Sequence, residues 1–115
     1  MITTFDKGRR GEQRAADFLI ADGWNIVQKN FRGRRGEVDI IAVRDDVISF
    51  VEVKSWETLP PESLEYAISR RKLQRITGAS REFLARNPDF DGFQARFEVL
   101  FVSGNRIERI SDVLE

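Results

Sequence analysis

Apolar residues recur at helical spacing in two stretches of the chain. The first stretch, residues 7–22, has apolar positions three and four residues apart, at Ala15, Ala16, Leu19 and Ile20. The second stretch, residues 62–86, carries a longer stripe of the same kind and ends shortly before Pro88, which cannot continue a helix. Each stripe predicts an amphipathic helix with one face packed against a core.

Runs of β-branched and aromatic residues fill much of the remaining chain and are typical of strands. They cover residues 24–31, 38–43, 47–54, 96–102 and 106–110. The second and third runs are separated only by Arg44, Asp45 and Asp46, which predicts a tight hairpin. The order αβββαβ, with a small β addition, indicates an α/β fold with a central sheet flanked by helices, in a single domain over residues 1–115.

Composition removes several kinds of chemistry. The 115 residues include neither cysteine nor histidine, which excludes disulfides, zinc fingers, thiol nucleophiles and imidazole bases. Any catalysis must therefore use carboxylates, lysine, hydroxyls or a metal held by oxygen. The apolar runs are too short to span a bilayer, and we expect a cytoplasmic protein without a membrane partner.

The predicted hairpin brings acidic side chains together. With Asp45 and Asp46 as the loop residues, the register places Asp39 directly opposite Glu52. Lys54 follows Glu52 by two residues and lies on the same face. Like charges opposed in a sheet are destabilising, and burying them adds to the cost, so something must compensate for this pair.

A divalent cation is one such compensation. Asp39 and Glu52 supply the oxygen ligands that Mg²⁺ or Mn²⁺ prefers, and Lys54 would stand beside the ion, where it can orient a water and offset phosphate charge. The alternative is an ion-pair network of these three side chains. Glu12, on the apolar stripe of the first helix, is a third acidic candidate; its alternative is a first-turn glutamate favoured by the helix dipole.

Basic residues favour a phosphate-containing partner. The net charge is zero, but 15 of the 19 basic residues are arginine, whose planar fork matches phosphate oxygens. The expected nucleic-acid contacts are Arg9, Arg10, Arg32, Arg34, Arg35, Arg70, Arg71, Lys72 and Arg75. Lys72 falls within or beside the apolar arc of the second helix, which suggests that its amine points toward the sheet. The alternative for the helix arginines is an ordinary solvated face.

Two short segments carry a resemblance to a known superfamily. Gly-Glu-Val-Asp at 36–39 and Val-Glu-Val-Lys at 51–54 look like the active-site signature of the PD-(D/E)XK nucleases, with valine at 38 where the superfamily name shows proline. Further segments at 7–12, 30–32 and 96–99 resemble the small bacterial YraN family, which is similar to archaeal Holliday-junction resolvases. The resemblance implies a restriction-endonuclease-like fold.

Carried over by position, the resemblance implies a set of catalytic residues. Asp39 and Glu52 would be metal ligands, Lys54 the catalytic lysine and Glu12 the match to the helix-one glutamate of the resolvases. The implied activity is Mg²⁺-dependent cleavage of branched or structured DNA, and a resolvase would act as a two-fold homodimer. Two other expectations stay open: a non-catalytic nucleic-acid-binding module, and a scaffold protein using the acidic block 37–69.

Overall fold

The computed structural model describes residues 4–55 and 70–111, with side chains described for residues 10–55 and 71–111. The elements, in chain order, are α1 (Thr4–Ala21), β1 (Asn25–Arg32), β2 (Glu37–Arg44), β3 (Val47–Ser55), α2 (Arg70–Arg86), β4 (Gln94–Ser103) and β5 (Arg106–Ser111). A short 3₁₀ helix, Pro88–Phe90, lies between α2 and β4. The predicted start of the second helix lies outside the described residues. Neither described helix is long and apolar enough to cross a membrane.

The strands form one mixed sheet in the order β1-β2-β3-β4-β5. β3 and β4 run parallel, and each of the other neighbouring pairs is antiparallel. A parallel pair requires a crossover connection, and α2 lies within the segment that joins β3 to β4. The predicted α/β fold is confirmed: the mixed sheet is flanked by helices and is compatible with a restriction-endonuclease-like αβββαβ core.

Each face of the sheet is covered by one helix. On one face, Ala15, Ala16 and Leu19 of α1 pack against the sheet in a buried apolar cluster. On the other, Ile76, Ala79 and Phe83 of α2 pack against a second cluster that is rich in phenylalanine. The two stripes read from the sequence therefore face the core, as predicted.

Two positions depart from the predicted pattern. Ile20 was expected in the apolar stripe of α1 but is 56% exposed, since the stripe turns toward Phe18 instead. Strict alternation along β2 would put Val38 on the same face as Ile40, yet Val38 packs in the α2 cluster beside Phe31. Asn30 has a positive φ of 55°, and this local change of backbone direction accompanies the packing of Phe31 against Phe83, with ring centroids 5.3 Å apart.

The predicted hairpin register is confirmed near the turn, but the pairing of β2 with β3 stops before Asp39 and Glu52. Arg44 pairs with Val47, and the ladder continues in that register up to Ile40 and Val51. Beyond this pair the strands part, because β2 stays with β1 as far as Glu37 while β3 stays with β4 as far as Ser55. We call this opening the fork.

A buried polar network lies on β3, β4 and β5. Its centre is the Glu98 carboxylate, whose side chain is fully buried. Arg109 Nε lies 2.8 Å and Arg96 Nη2 3.5 Å from Glu98 Oε2, and Ser49 Oγ donates a 2.9 Å hydrogen bond to Glu98 Oε1. We call these four residues the Glu98 network.

Candidate active site

A cleft of about 620 Å³ opens at the fork. Its walls come from α1, from the loop between β1 and β2, from the ends of β2 and β3, and from α2. Gly11 brings α1 close to this end of the sheet, because a Cβ there would collide with the Ser55 hydroxyl. The predicted acidic residues Glu12, Asp39 and Glu52 all line the cleft.

Asp39 occupies the fork itself. Its Oδ2 accepts a 2.7 Å hydrogen bond from the backbone N–H of Val53. In a continued antiparallel ladder the inward N–H groups of β3 would bond to carbonyl oxygens of β2, so here a side-chain carboxyl takes a place that backbone would otherwise fill. The parting of the strands therefore seats Asp39 next to β3.

Asp39 and Glu52 form a close carboxyl pair. Burial, the charge of Glu52, the charge of Glu12 and a hydrogen bond with Glu52 together raise the pKa of Asp39 to about 7, although the hydrogen bond from the Val53 N–H acts in the opposite direction. Two acids in contact cannot both ionise without cost, so ionisation of Asp39 is opposed up to about neutral pH unless a cation offsets the charge.

Lys72 reaches the pair from α2. Its Nζ lies 2.6 Å from Glu52 Oε1, and the Glu52 side chain is only 10% exposed. Although burial acts in the opposite direction, the hydrogen bond and charge of Glu52 raise the pKa of Lys72 above its ordinary value. Lys72 is therefore an ammonium paired with Glu52.

Lys54 is a direct neighbour of Lys72. Burial lowers the pKa of Lys54, and the hydrogen bond and charge of Lys72 lower it further. The charges of Glu52 and Asp39 also act on Lys54, so it lies close to the carboxyl pair, as predicted from its position in β3. Within the described part of the chain, however, the lysine that lines the cleft is Lys72.

The carboxyl pair fits a hard divalent cation. Within residues 10–55 and 71–111, no group of three or more acidic side chains is close enough to hold a metal ion. Mg²⁺ needs no such group, because it commonly binds through one or two carboxylates and keeps waters or substrate phosphates as its remaining ligands. A cation would also relieve the repulsion that raises the pKa of Asp39. Asp39 and Glu52 are thus a suitable donor set for Mg²⁺ or Mn²⁺.

A basic loop forms one wall of the cleft and is fixed along α2. Arg32, at the end of β1, and Arg34 and Arg35 of this loop line the cleft with Lys72 and Arg75 of α2. The contacts of the loop with α2 fall one after another along the helix, at Arg75, Gly78 and Glu82.

Each of these contacts needs its particular residue. Glu82 Oε2 accepts a 2.7 Å hydrogen bond from the Arg34 backbone N–H. A Cβ at Gly78 would lie 2.9 Å from the Arg35 Cβ, and a Cβ at Gly36 would lie 2.6 Å from the Arg75 carbonyl oxygen. The two glycines thus permit a close approach that holds the arginines at the cleft.

The other predicted nucleic-acid contacts are two described arginines and two whose side chains are not described. Arg10 and Arg71 are exposed, and neither lines the cleft. The side chains of Arg9 and Arg70 lie outside the described residues. Their contact with nucleic acid stays a prediction.

Comparison with known proteins places the chain in a family. The profile of the uncharacterised protein family UPF0102 matches residues 11–102. This chain belongs to the UPF0102 family. It is 36% identical over 108 residues to a UPF0102 protein of Nitrobacter winogradskyi, a match that covers 94% of this chain and 90% of that protein. It is 38% identical to a UPF0102 protein of a Bradyrhizobium species over 94% of this chain and 78% of the relative.

The UPF0102 match agrees with the resemblance to YraN-like proteins read from the sequence and names no activity. A UPF0102 protein of Rhodopseudomonas palustris is 38% identical over 92% of this chain and 79% of its own length. The matched range includes each described residue that lines the cleft.

Two features of this UPF0102 site were not predicted. The ion pair between Lys72 and Glu52 was missed, although a lysine beside the apolar arc of α2 was a signal that it points toward the sheet. The role of Glu82 was also missed. Its spacing from Arg75 and Gly78 places it on their side of α2, but nothing in the sequence shows which loop that side meets.

Proposed function

We propose that this protein is a divalent-metal-dependent endonuclease that hydrolyses phosphodiester bonds in DNA, with branched or structured DNA as its substrate. The observation that carries the proposal is the close pair of carboxyl groups, Asp39 and Glu52, in a cleft walled by arginines. The resemblance of segments 36–39 and 51–54 to the PD-(D/E)XK nucleases, and of the chain to resolvase-like proteins, gives the substrate class.

Asp39 and Glu52 would hold Mg²⁺ or Mn²⁺ in this site. Such an ion, when bound, lowers the pKa of water and neutralises charge on a phosphoryl oxygen. The donor set supports this role because it is made of hard oxygens that are partly desolvated and repel one another.

The other side chains of the cleft bind and orient the substrate. Arg34, Arg35 and Arg75 provide guanidinium groups that bind phosphate oxygens on either side of the reacting bond. Glu12 adds a third carboxylate whose charge already acts on Asp39, and we assign it the orientation of a water in the cleft. Binding through these arginines is sequence-independent, as recognition of a branched structure requires.

We assign Lys54 the role of orienting the attacking water. Burial and the neighbouring Lys72 lower the pKa of Lys54, and its Nζ, close to the carboxyl pair, can hydrogen-bond a water there. If the substrate is a four-way junction, two such sites related by a two-fold axis are required to cut both strands.

A panel of DNA substrates tests the proposal. Four-way junction, flap, single-stranded and duplex DNA are incubated with Mg²⁺ or Mn²⁺ and with the wild type, Asp39→Asn or Glu52→Ala. We expect the wild type to cleave at least one branched substrate in a metal-dependent manner, and both variants to be inactive. Asp45→Asn is the matched control, since Asp45 lies at the turn of the same hairpin and is exposed.

The same panel distinguishes the competing functions. Steeply salt-dependent DNA binding that persists without metal, with no cleavage of any substrate, indicates a non-catalytic binding module. Cleavage by Asp39→Asn at the wild-type rate contradicts the proposed site.

A further inference from the structure

Lys72 makes the shortest described ion pair at the site, and it comes from a different element than the acids that it meets. Its Nζ is 2.6 Å from Glu52 Oε1. The segment that carries Glu52 belongs to the sheet, whereas Lys72 lies in the first turn of α2 as described. The contact therefore depends on how α2 packs across the fork.

The Lys72 ammonium lies beside Glu52, where a divalent cation bound by the carboxyl pair would also lie. Glu52 offers two oxygens, and Lys72 holds one of them, while Asp39 Oδ2 is held by the Val53 N–H. A divalent cation that uses Glu52 meets the positive charge of Lys72 at close range, and like charges at such a distance repel strongly in a partly buried site. Cation and ammonium therefore compete for the same carboxylate.

The position of Lys72 also allows its amine to move from Glu52 into the cleft. Its side chain is 37% exposed, and it lines the cleft together with Arg75 of the same helix. A long, flexible amine in that position can leave Glu52 and still meet a phosphate oxygen bound in the cleft.

We propose that Lys72 is a positioning residue that acts as the resident counter-ion of Glu52 until a divalent cation binds, and that its ammonium then moves to a phosphate oxygen of the substrate. The inference rests on the proposed function and adds to it the exchange by which metal and substrate enter the site together. The inference gives the two lysines different roles. Lys54 orients the attacking water, whereas Lys72 pairs first with the Glu52 carboxylate and then with a phosphate oxygen.

Calorimetric titration with Mn²⁺ tests the exchange without measuring activity. The titration compares the wild type, Lys72→Met and Arg81→Met at pH 8.5, above the pKa of about 7 of Asp39, so that protons do not compete for the pair. Arg81 is exposed on α2 and does not line the cleft, so Arg81→Met removes the same charge from the same helix. We expect Lys72→Met to bind Mn²⁺ about tenfold more tightly than the wild type, and Arg81→Met to bind it equally.

Cleavage at saturating Mn²⁺ provides the second measurement. Lys72→Met is expected to cleave branched DNA about tenfold more slowly than Arg81→Met, because the phosphate loses a cationic partner. A merely structural ion pair would not make metal binding tighter while slowing cleavage. Lys72→Gln, which keeps a polar side chain, replaces Lys72→Met if circular dichroism shows that the methionine variant does not fold.

The outcomes are separable. If the wild type binds Mn²⁺ and cleaves DNA while Lys72→Met has the same Mn²⁺ affinity as Arg81→Met, the exchange is overturned and the proposed function stands. If neither the wild type nor Lys72→Met binds Mn²⁺, both fall. Tighter Mn²⁺ binding in Lys72→Met but not in Arg81→Met supports the exchange.

Discussion

The Glu98 carboxylate and the carboxyl pair of Asp39 and Glu52 have opposite surroundings in this protein. Glu98 has two guanidinium groups beside it and accepts a hydrogen bond from Ser49. Asp39 has Glu52 beside it, with Glu12 close enough to act on its charge. Lys72 pairs with Glu52, and the cleft opens onto the pair.

The difference teaches how to tell a structural carboxylate from one that awaits a ligand. A buried acid that is surrounded by donors contributes to the fold and needs nothing further. An acid whose pKa is raised by burial and by a neighbouring carboxylate, as that of Asp39 is, is costly to keep, and a protein keeps such a group where a cation or a proton is used. Glu98 is of the first kind, and Asp39 with Glu52 is of the second.

The largest expected effect comes from Asp39→Asn. Removing one carboxylate from the pair is expected to slow cleavage by at least about a thousandfold, since metal-ion stabilisation of the transition state amounts to several kcal/mol. Stability should not fall, because the substitution removes a like-charge contact. Single-turnover cleavage and thermal unfolding measure the two effects, and a large loss of stability would place Asp39 with the structural acids.

Glu98→Gln is expected to lower stability and to leave the cleavage rate unchanged. Removing the charge leaves Arg96 and Arg109 without their buried partner, which is expected to cost about 3 kcal/mol in the free energy of unfolding. Cleavage per folded molecule should match the wild type, since the Glu98 network does not line the cleft. Urea denaturation measures the cost, and an unchanged midpoint would mean that the network is not structural.

The pH dependence of stability sharpens the contrast. The pKa of Asp39 is raised from 3.8 to about 7, so the folded protein binds this proton more tightly than the unfolded chain. The resulting stability is fully present below the unfolded pKa and is lost as pH rises through 7. Between pH 5 and pH 8 we expect metal-free protein to lose about 2 kcal/mol from this group.

Asp39→Asn provides the control for the pH series, because the amide does not titrate. The difference in unfolding free energy between variant and wild type should favour the variant at pH 8 and shrink toward pH 5. A constant difference across this range would show that the carboxyl pair does not hold a raised pKa.

The smallest effect concerns the basic wall. Arg35→Gln should reduce the slope of log affinity against log salt concentration by about one, the value for a lost phosphate contact. Lys29→Gln is the control, since Lys29 is exposed on β1 and bonds to Gln13 rather than lining the cleft. Fluorescence anisotropy with labelled junction DNA measures both slopes, and equal slopes would remove Arg35 from the interface.

Much of the site could be predicted because it lies on one hairpin. A two-residue turn fixes the register up to Ile40 and Val51, and this register predicts that Asp39 approaches Glu52, with Lys54 two residues further on, although the ladder itself ends before that pair. The apolar stripes of α1 and α2 fix which faces of the helices are buried in the same way, apart from Ile20.

The remaining features depend on contacts between distant segments. The fork arises because β2 follows β1 while β3 follows β4, and pairing with other strands cannot be read from the hairpin alone. The positive φ of Asn30 and the packing of Val38 with Phe31 have the same origin. Lys72 meets Glu52 through the packing of a helix across the sheet, which fixes a distance that no spacing in the sequence contains.

Direct Mn²⁺ titration of wild type, Asp39→Asn and Glu98→Gln tests the central claim that the carboxyl pair at the fork is a cation site. We predict one saturable binding event in the wild type, the same event in folded Glu98→Gln, and none in Asp39→Asn. Wild-type Mn²⁺ affinity in Asp39→Asn, or its loss in Glu98→Gln alone, would contradict the assignment.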